Sequence, residues 1–378
     1  MKKLLAKMDK PLLLLTIIMF LFGLLMIFSA SSIKAAVYGN PYSIFFKHSI
    51  TLVICFIVSA VVIFTPTTAY KKMAPLFLYV VIGALIFVFG YGAVINSAKR
   101  WIELGFYNIQ PSEFAKTALI VYMGVYYYKH KNATSYMVLF KPLIYGAIIC
   151  FLTFLQPDFG TMCIIFGLIV LLFISLPINK DIKNKAIQIG MGGLFIVFLF
   201  FLLNGKQIFR EGQLSRLNFM NPCQRYTENT GYQVCNGFIA INNGGLFGVG
   251  LGNSTQKFLY LPAAYTDFIF PVIIEELGLL MGILILLVYI YMLYRIIRIS
   301  NRSYNLMGSI IAYGVAVYML LHIVVNLVGV LGIFPLTGAP IPFLSYGGSY
   351  VLNLAICLAI VQRIEIENKI YKQRNLLK

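Results

Sequence analysis

Residues 232–278 read YQVCNGFIAINNGGLFGVGLGNSTQKFLYLPAAYTDFIFPVIIEELG. A glycine-rich turn and the aromatic-proline segment Tyr260-Leu261-Pro262 lead to a single carboxylate, Asp267, where polar chain re-enters a long apolar run. A carboxylate at such a boundary is costly to desolvate, so it has a partner or a task. Glu275 and Glu276 follow at helical spacing, deeper along the same run.

The rest of the chain explains why that boundary is a membrane boundary. Of 378 residues, 60% are hydrophobic and 11% charged, too little polar surface to cover a soluble globule of this size. Apolar runs near 11–31, 46–65, 73–92, 113–128, 140–157, 158–177, 186–204, 266–292, 307–330 and 346–362 each approach the roughly 20 residues that cross a bilayer. The expected fold is all-α, a polytopic integral membrane protein of about ten transmembrane helices. It forms one membrane domain over residues 1–378, with one large extracellular loop over about 204–266. Gln156-Pro157-Asp158 divides two of the runs and predicts a tight turn at the interface.

The net charge of +18 is a matter of topology, not of nucleic-acid binding. With the amino terminus inside, 20 of the 30 Lys and Arg residues fall on cytoplasmic segments, as the positive-inside rule requires. Both termini are then cytoplasmic. Lysines before the first run and small residues after it resemble a secretory signal, but the run from Pro11 to Phe28 is long for a signal core and reads as an uncleaved span.

The long loop carries Arg210, Arg216, Arg225 and Lys257 beside Glu211 and Glu228. Either these are solvated charges with local partners, or the guanidinium groups meet an anionic substrate at the outer surface. Cys223 and Cys235 also lie there, where oxidation is permitted, and a bridge between them is expected; the other four cysteines sit in apolar spans. Gly244, Gly245, Gly248, Gly250 and Gly252 lack the strand-and-helix context of a nucleotide loop and predict tight turns instead.

A second cluster, NSAKRWIELGFYNIQPSEFAK, runs from Asn96 to Lys116. Glu113 and Lys116 share a helix face and can pair, as a structural staple or in a polar cavity. Lys99, Arg100 and Trp101 read as an interfacial anchor or as contacts to a phosphorylated head group. Pro340, Pro342 and Ser345-Tyr346-Gly347-Gly348-Ser349 predict irregular backbone beside a cavity.

The Asn96–Lys116 block, Gln156-Pro157-Asp158-Phe159-Gly160-Thr161, the Tyr232–Gly278 block and GIFPLTGAPIPFLSYGGS over 332–349 together resemble the SEDS proteins, the shape, elongation, division and sporulation family. Thr266-Asp267-Phe268-Ile269-Phe270 with Glu275-Glu276-Leu277-Gly278 is the most specific match. The resemblance implies a peptidoglycan glycosyltransferase in the cytoplasmic membrane that polymerises lipid II at the outer face. It also implies a class B penicillin-binding protein as transpeptidase partner, with other divisome or elongasome membrane proteins nearby. Gly252-Asn253-Ser254 with Gln256-Lys257 is closer to the division branch than to the elongation branch. The chain departs from the family pattern at Ala263 and Tyr265, where glutamate and histidine are common, at His322 for glutamine, and at Pro271 for a small residue.

The chemistry such an enzyme needs is a base for an acceptor hydroxyl and cations for a leaving pyrophosphate. Asp267 fits the base. Lys99, Arg100, Arg210 and Arg216 are candidates for the pyrophosphate, with Glu113, Lys116, Asp158, Lys257, Glu275 and Glu276 in or around the cavity. No ligand spacing marks a metal, although a divalent cation near the acids is compatible with the chemistry. A lipid II flippase, an elongation-type polymerase and a scaffold for cell-wall enzymes are the competing readings.

Overall fold

The computed structural model describes residues 2–37, 39–95, 98–105, 107–132, 135–177, 181–185, 187, 188, 190, 219–258 and 260–376. In hydrocarbon a backbone must satisfy its own hydrogen bonds, and the apolar runs do so as helices. They are α1 (Lys10–Val37), α2 (Ser43–Phe64), α3 (Thr67–Tyr91), α4 (Pro111–Lys129), α5 (Tyr136–Leu155) and α6 (Phe159–Ser175). The second half contributes α7 (Asn229–Gly244), α8 (Ile269–Leu277), α9 (Leu279–Asn301), α10 (Leu306–Val330) and α11 (Gly348–Leu376). Among the described residues 7 helices are long and apolar enough to cross a membrane, and the protein is a polytopic helical membrane protein. The run expected over 186–204 falls almost wholly outside the described residues, as do Arg210 and Arg216.

Three short strands interrupt the helical pattern between α3 and α4: β1 (Ala93–Ile95), β2 (Ala98–Glu103) and β3 (Asn108–Ile109). They pair antiparallel in that order. The hairpin places Lys99, Arg100 and Trp101 on β2.

Burial sorts the helices into an inner and an outer set. α4, α10 and α11 are buried along most of their length, whereas α1, α2, α5 and α9 turn Leu14, Phe56, Met137 and Ile290 outward, the face that lipid covers. Close approach in the inner set needs small residues. A methyl group on Gly124 would come within 2.4 Å of the Ile311 side chain, and one on Gly314 within 2.7 Å of that of Ile120, so each helix seats an isoleucine of the other on a glycine.

The run expected as one span over 266–292 is two helices, α8 and α9, broken at Gly278. That residue has φ +85°, and a Cβ there would lie 2.2 Å from the Leu246 carbonyl oxygen. The glycine-rich turn is threaded against the break. Val249 and Gly250 donate their N–H groups to the carbonyls of Glu275 and Glu276, both at 2.9 Å, and Leu279 donates to Gly245 at 2.9 Å. The turn therefore spends these amide donors on α8, not on an anion.

The expected loop also holds structure of its own. α7 packs its buried residues Val234, Cys235 and Ala240 towards the bundle, with Gly237 against the Phe268 ring. A disulfide joins Cys223 to Cys235 across a sequence separation of 12. Closing so short a loop restricts the unfolded chain and should contribute about 3 kcal/mol. Peptide mapping without reductant should recover the two cysteines linked; recovery of both as free thiols would contradict this arrangement.

Candidate functional site

The segment 331–347, between α10 and α11, ties the sequence blocks together at one end of the bundle. The Asn326 amide donates to the carbonyls of both Asp267 and Ala339, each at 2.8 Å. Ser345 Oγ donates to the Thr266 carbonyl at 2.9 Å and accepts from Ile341 N–H at 2.8 Å, while Tyr346 N–H donates to the Tyr265 carbonyl at 2.9 Å. These bonds clamp the turn that carries Asp267 just ahead of α8. Gly338, at φ +70°, lies beside the carboxylate: a Cβ there would be 3.1 Å from Asp267 Oδ2.

Asp267 is half-buried, unlike Glu113, Asp158, Glu275 and Glu276, all of which are at most 4% exposed. Accessibility separates one acid of the site from the other four.

Asp158 caps the first turn of α6, accepting from Thr161 N–H at 3.3 Å. Its carboxylate also pairs with Arg100 at 3.2 Å and accepts from the Gln110 amide at 2.8 Å. Arg100, whose side chain keeps 21% of its exposure, thus reaches from the hairpin to the helix end. Gly160 holds this corner against the same organising segment, since a Cβ there would meet the Thr337 carbonyl at 2.7 Å.

Further inward, Lys116 Nζ donates to both carboxylate oxygens of Glu113 at 2.9 Å and stands 3.0 Å from His322 Nε2. His322 Nδ1 is 3.1 Å from the Pro340 carbonyl, which can only accept, so Nδ1 carries the proton and Nε2 accepts from the ammonium. The Lys116 charge also faces the Tyr318 ring at 5.6 Å. A buried cation with an acid, an imidazole and a ring face around it costs less to desolvate than one with the acid alone. His322 is thereby part of the link between α4, α10 and the segment 331–347.

Lys257, Glu275 and Glu276 form a separate sealed cluster. Lys257 Nζ donates to Glu276 at 2.7 Å, to Ser29 Oγ at 3.0 Å and to the Gly252 carbonyl at 2.6 Å, while Ser29 donates to Glu276 at 2.7 Å. Glu275 accepts from the Ser254 hydroxyl, from Thr255 Oγ1 at 2.9 Å and from the Asn243 amide at 3.1 Å. Both glutamates are completely buried, so these acids staple the 245–257 turn to α8 and α1.

Lys99 and Arg100, adjacent in sequence, go different ways: Lys99 Nζ donates to the Gly90 carbonyl at the end of α3, at 2.5 Å. The sequence did not single out Lys34, which donates to the Pro262 carbonyl at 3.0 Å and lies 5.3 Å from the Tyr265 ring centre. A lysine near the end of the first apolar run was the available signal. Gln110, Ser29 and Asn326 carried none, because a single amide or hydroxyl in a span has no spacing pattern. Tyr265 makes an edge-to-face contact with Tyr346, ring centres 5.7 Å apart. Pro271 sits in the first turn of α8, where a missing N–H costs no helical bond. Among the described residues no three His, Cys, Asp or Glu side chains group in a way that would hold a metal ion.

The model of the FtsW/RodA/SpoVE family, described as cell cycle protein, covers residues 10–370, and the chain belongs to that family. It is 33% identical to the "Probable peptidoglycan glycosyltransferase FtsW" of Bacillus subtilis, over 99% of this chain and 95% of that protein. "Stage V sporulation protein E" of the same organism is also 33% identical, over 94% of this chain and 96% of that one. In fold, the chain is similar to one from "Structural coordination of polymerization and crosslinking by a peptidoglycan synthase complex", with TM-score 0.76, 21% identity and coverage of 95% and 97%. The rod shape determining protein RodA of Thermus thermophilus gives TM-score 0.68 at 21% identity, covering 95% of this chain and 96% of that one.

Proposed function

We propose that this protein is a peptidoglycan glycosyltransferase that polymerises lipid II at the outer face of the cytoplasmic membrane, with Asp267 as general base. The observation that carries the reading is the difference in access: Asp267 is half-buried on a clamped turn, while Glu113, Asp158, Glu275 and Glu276 are buried. A base must reach the proton it takes. In the reaction the acceptor hydroxyl oxygen bonds to the anomeric carbon and its proton passes to Asp267. The bond from that carbon to the polyprenyl pyrophosphate breaks, and the electron pair leaves on the phosphate. A single displacement of this kind inverts the anomeric centre. Among the described residues, Arg100, partly exposed beside Asp158, and Lys34 near Tyr265 would offset charge on the leaving group. Glu113, Lys116, Asp158, Lys257, Glu275 and Glu276 hold the walls.

The names of the relatives support a role in division, and the fold shared with a synthase complex supports a class B penicillin-binding protein as cross-linking partner. Orientation follows from charge: reporter fusions after Lys131, Lys183 and Arg302 should report cytoplasm, and fusions within 225–257 the outside. An external signal at Arg302 would reverse the site to the wrong face.

Reconstitution into vesicles separates this reading from a flippase. With labelled lipid II confined to the leaflet facing the Asp267 end, the wild-type protein should convert it to polymer there. Transfer to the opposite leaflet without polymer would mark a transporter instead.

A further inference from the structure

At the end of the bundle opposite Asp267 lies a cavity of about 340 Å³ lined by residues from the chain start, α1, α9 and α11, with Lys10, Arg295, Arg298, Arg302 and Lys369 as its cations and Asp9 and Glu365 as its acids. Both acids are already engaged. Asp9 pairs with Arg295 and caps α1 by accepting from Leu12 N–H at 3.0 Å; its own N–H donates to Gln362 at 2.8 Å. Glu365 pairs with Lys369 at 3.1 Å, and Lys369 also donates to the Met8 carbonyl at 3.0 Å. That leaves Lys10, Arg298 and Arg302 around one cavity with no acid in ion-pair contact among the described residues. The Arg295 Nε is buried without a hydrogen-bond partner, although the same guanidinium holds Asp9.

We infer that this cavity is a binding site for the phosphate of an anionic phospholipid in the cytoplasmic leaflet. Three observations converge on that ligand. The surplus of guanidinium and ammonium groups suits phosphate oxygens, which arginine binds bidentately. The volume holds a phosphoglycerol-sized head group. The depth is right: α1 runs 28 residues from Lys10 at the cavity to the outer end near Lys34, about 42 Å at 1.5 Å per residue, so the cavity sits at head-group level on the far side of the hydrocarbon. Exposed apolar residues flank it, Leu5 at the chain start and Ile297 on α9, where acyl chains would lie. Basic pockets between helices at this face recognise lipid phosphate by the same electrostatics. Such a lipid would tie the N-terminal segment to the ends of α9 and α11. The site depends on the charge-derived orientation and not on the glycosyltransferase reading, since it lies a membrane thickness away from Asp267.

The test uses the full-length protein in a neutral detergent, titrated with dioctanoyl phosphatidylglycerol, dioctanoyl phosphatidylcholine or inorganic phosphate and read by native mass spectrometry. Phosphatidylglycerol should bind in defined stoichiometry, and Arg298→Gln/Arg302→Gln should weaken it by about 30-fold, from the loss of two cations near the membrane surface. Arg298→Lys/Arg302→Lys should retain most of the binding. Lys10→Gln, on an exposed side chain, should weaken it about fivefold and keeps the test open if the double variant fails to fold. Equal binding of phosphatidylglycerol by the wild type and these variants would overturn the site. Binding of inorganic phosphate as tight as that of the lipid, or of phosphatidylcholine equal to phosphatidylglycerol, would overturn the lipid assignment.

Discussion

Asp267→Asn is expected to lower lipid II polymerisation by about 10²-fold or more while leaving the protein folded. The substitution keeps the shape of the side chain and removes the proton acceptor. The fold should tolerate it because the clamp on this turn works through backbone atoms: Asn326 holds the Asp267 carbonyl, and Ser345 holds that of Thr266. A normal melting temperature with lost activity is therefore the expected pair of results. Wild-type turnover by well-folded Asp267→Asn protein would remove Asp267 from the chemistry, and Asp158, paired with the partly exposed Arg100, would be the next carboxylate to test.

Lys257→Met should have the largest effect on stability. Lys257 and Glu276 are 4% and 0% exposed, and removing the ammonium leaves a buried carboxylate whose remaining side-chain partner among the described residues is the Ser29 hydroxyl. Breaking a buried pair in this way costs about 3–5 kcal/mol. Thermal unfolding in detergent should show a clear drop, and Lys257→Met/Glu276→Leu should recover much of it, because replacing both charges removes the uncompensated acid. Unchanged melting of the single variant would mean that the 245–257 turn is not held by this pair.

How far the sequence could be read depended on the range of the interaction that sets each feature. Hydropathy is a local property, and the runs at 11–31, 46–65, 73–92, 113–128, 140–157, 158–177, 307–330 and 346–362 each correspond to a helix. The break inside 266–292 was invisible because Leu277, Leu279 and Leu280 keep the run apolar; only the approach of Leu246 and Phe247 to Gly278 demands it. The helix α7 was hidden for a different reason: asparagines and glycines dilute its apolar face, and that face is completed by Phe268, a residue distant in sequence. The strands β1 and β3 are too short to show alternation, and the six residues of β2 mix charged and apolar side chains on both faces.

For the site, the pairing of Glu113 with Lys116 was legible because three residues separate them on one helix. The pairing of Lys257 with Glu276 was not, because it is set by how the glycine-rich turn folds back on α8. The same tertiary arrangement makes Asp267 the accessible acid among five. Its neighbours Gly338, Asn326 and Ser345 come from α10 and the segment after it, and no spacing rule connects residues so far apart.

The most direct measurement is the reaction itself, run in detergent where there are no leaflets to cross. Purified wild-type protein with its penicillin-binding partner, whose transpeptidase is blocked by a β-lactam, is incubated with labelled lipid II and the products are separated by size. A ladder of glycan strands, lost with Asp267→Asn and unaffected by the β-lactam, is the predicted result. Lipid II recovered unpolymerised from folded wild-type protein in complex with that partner would contradict the account.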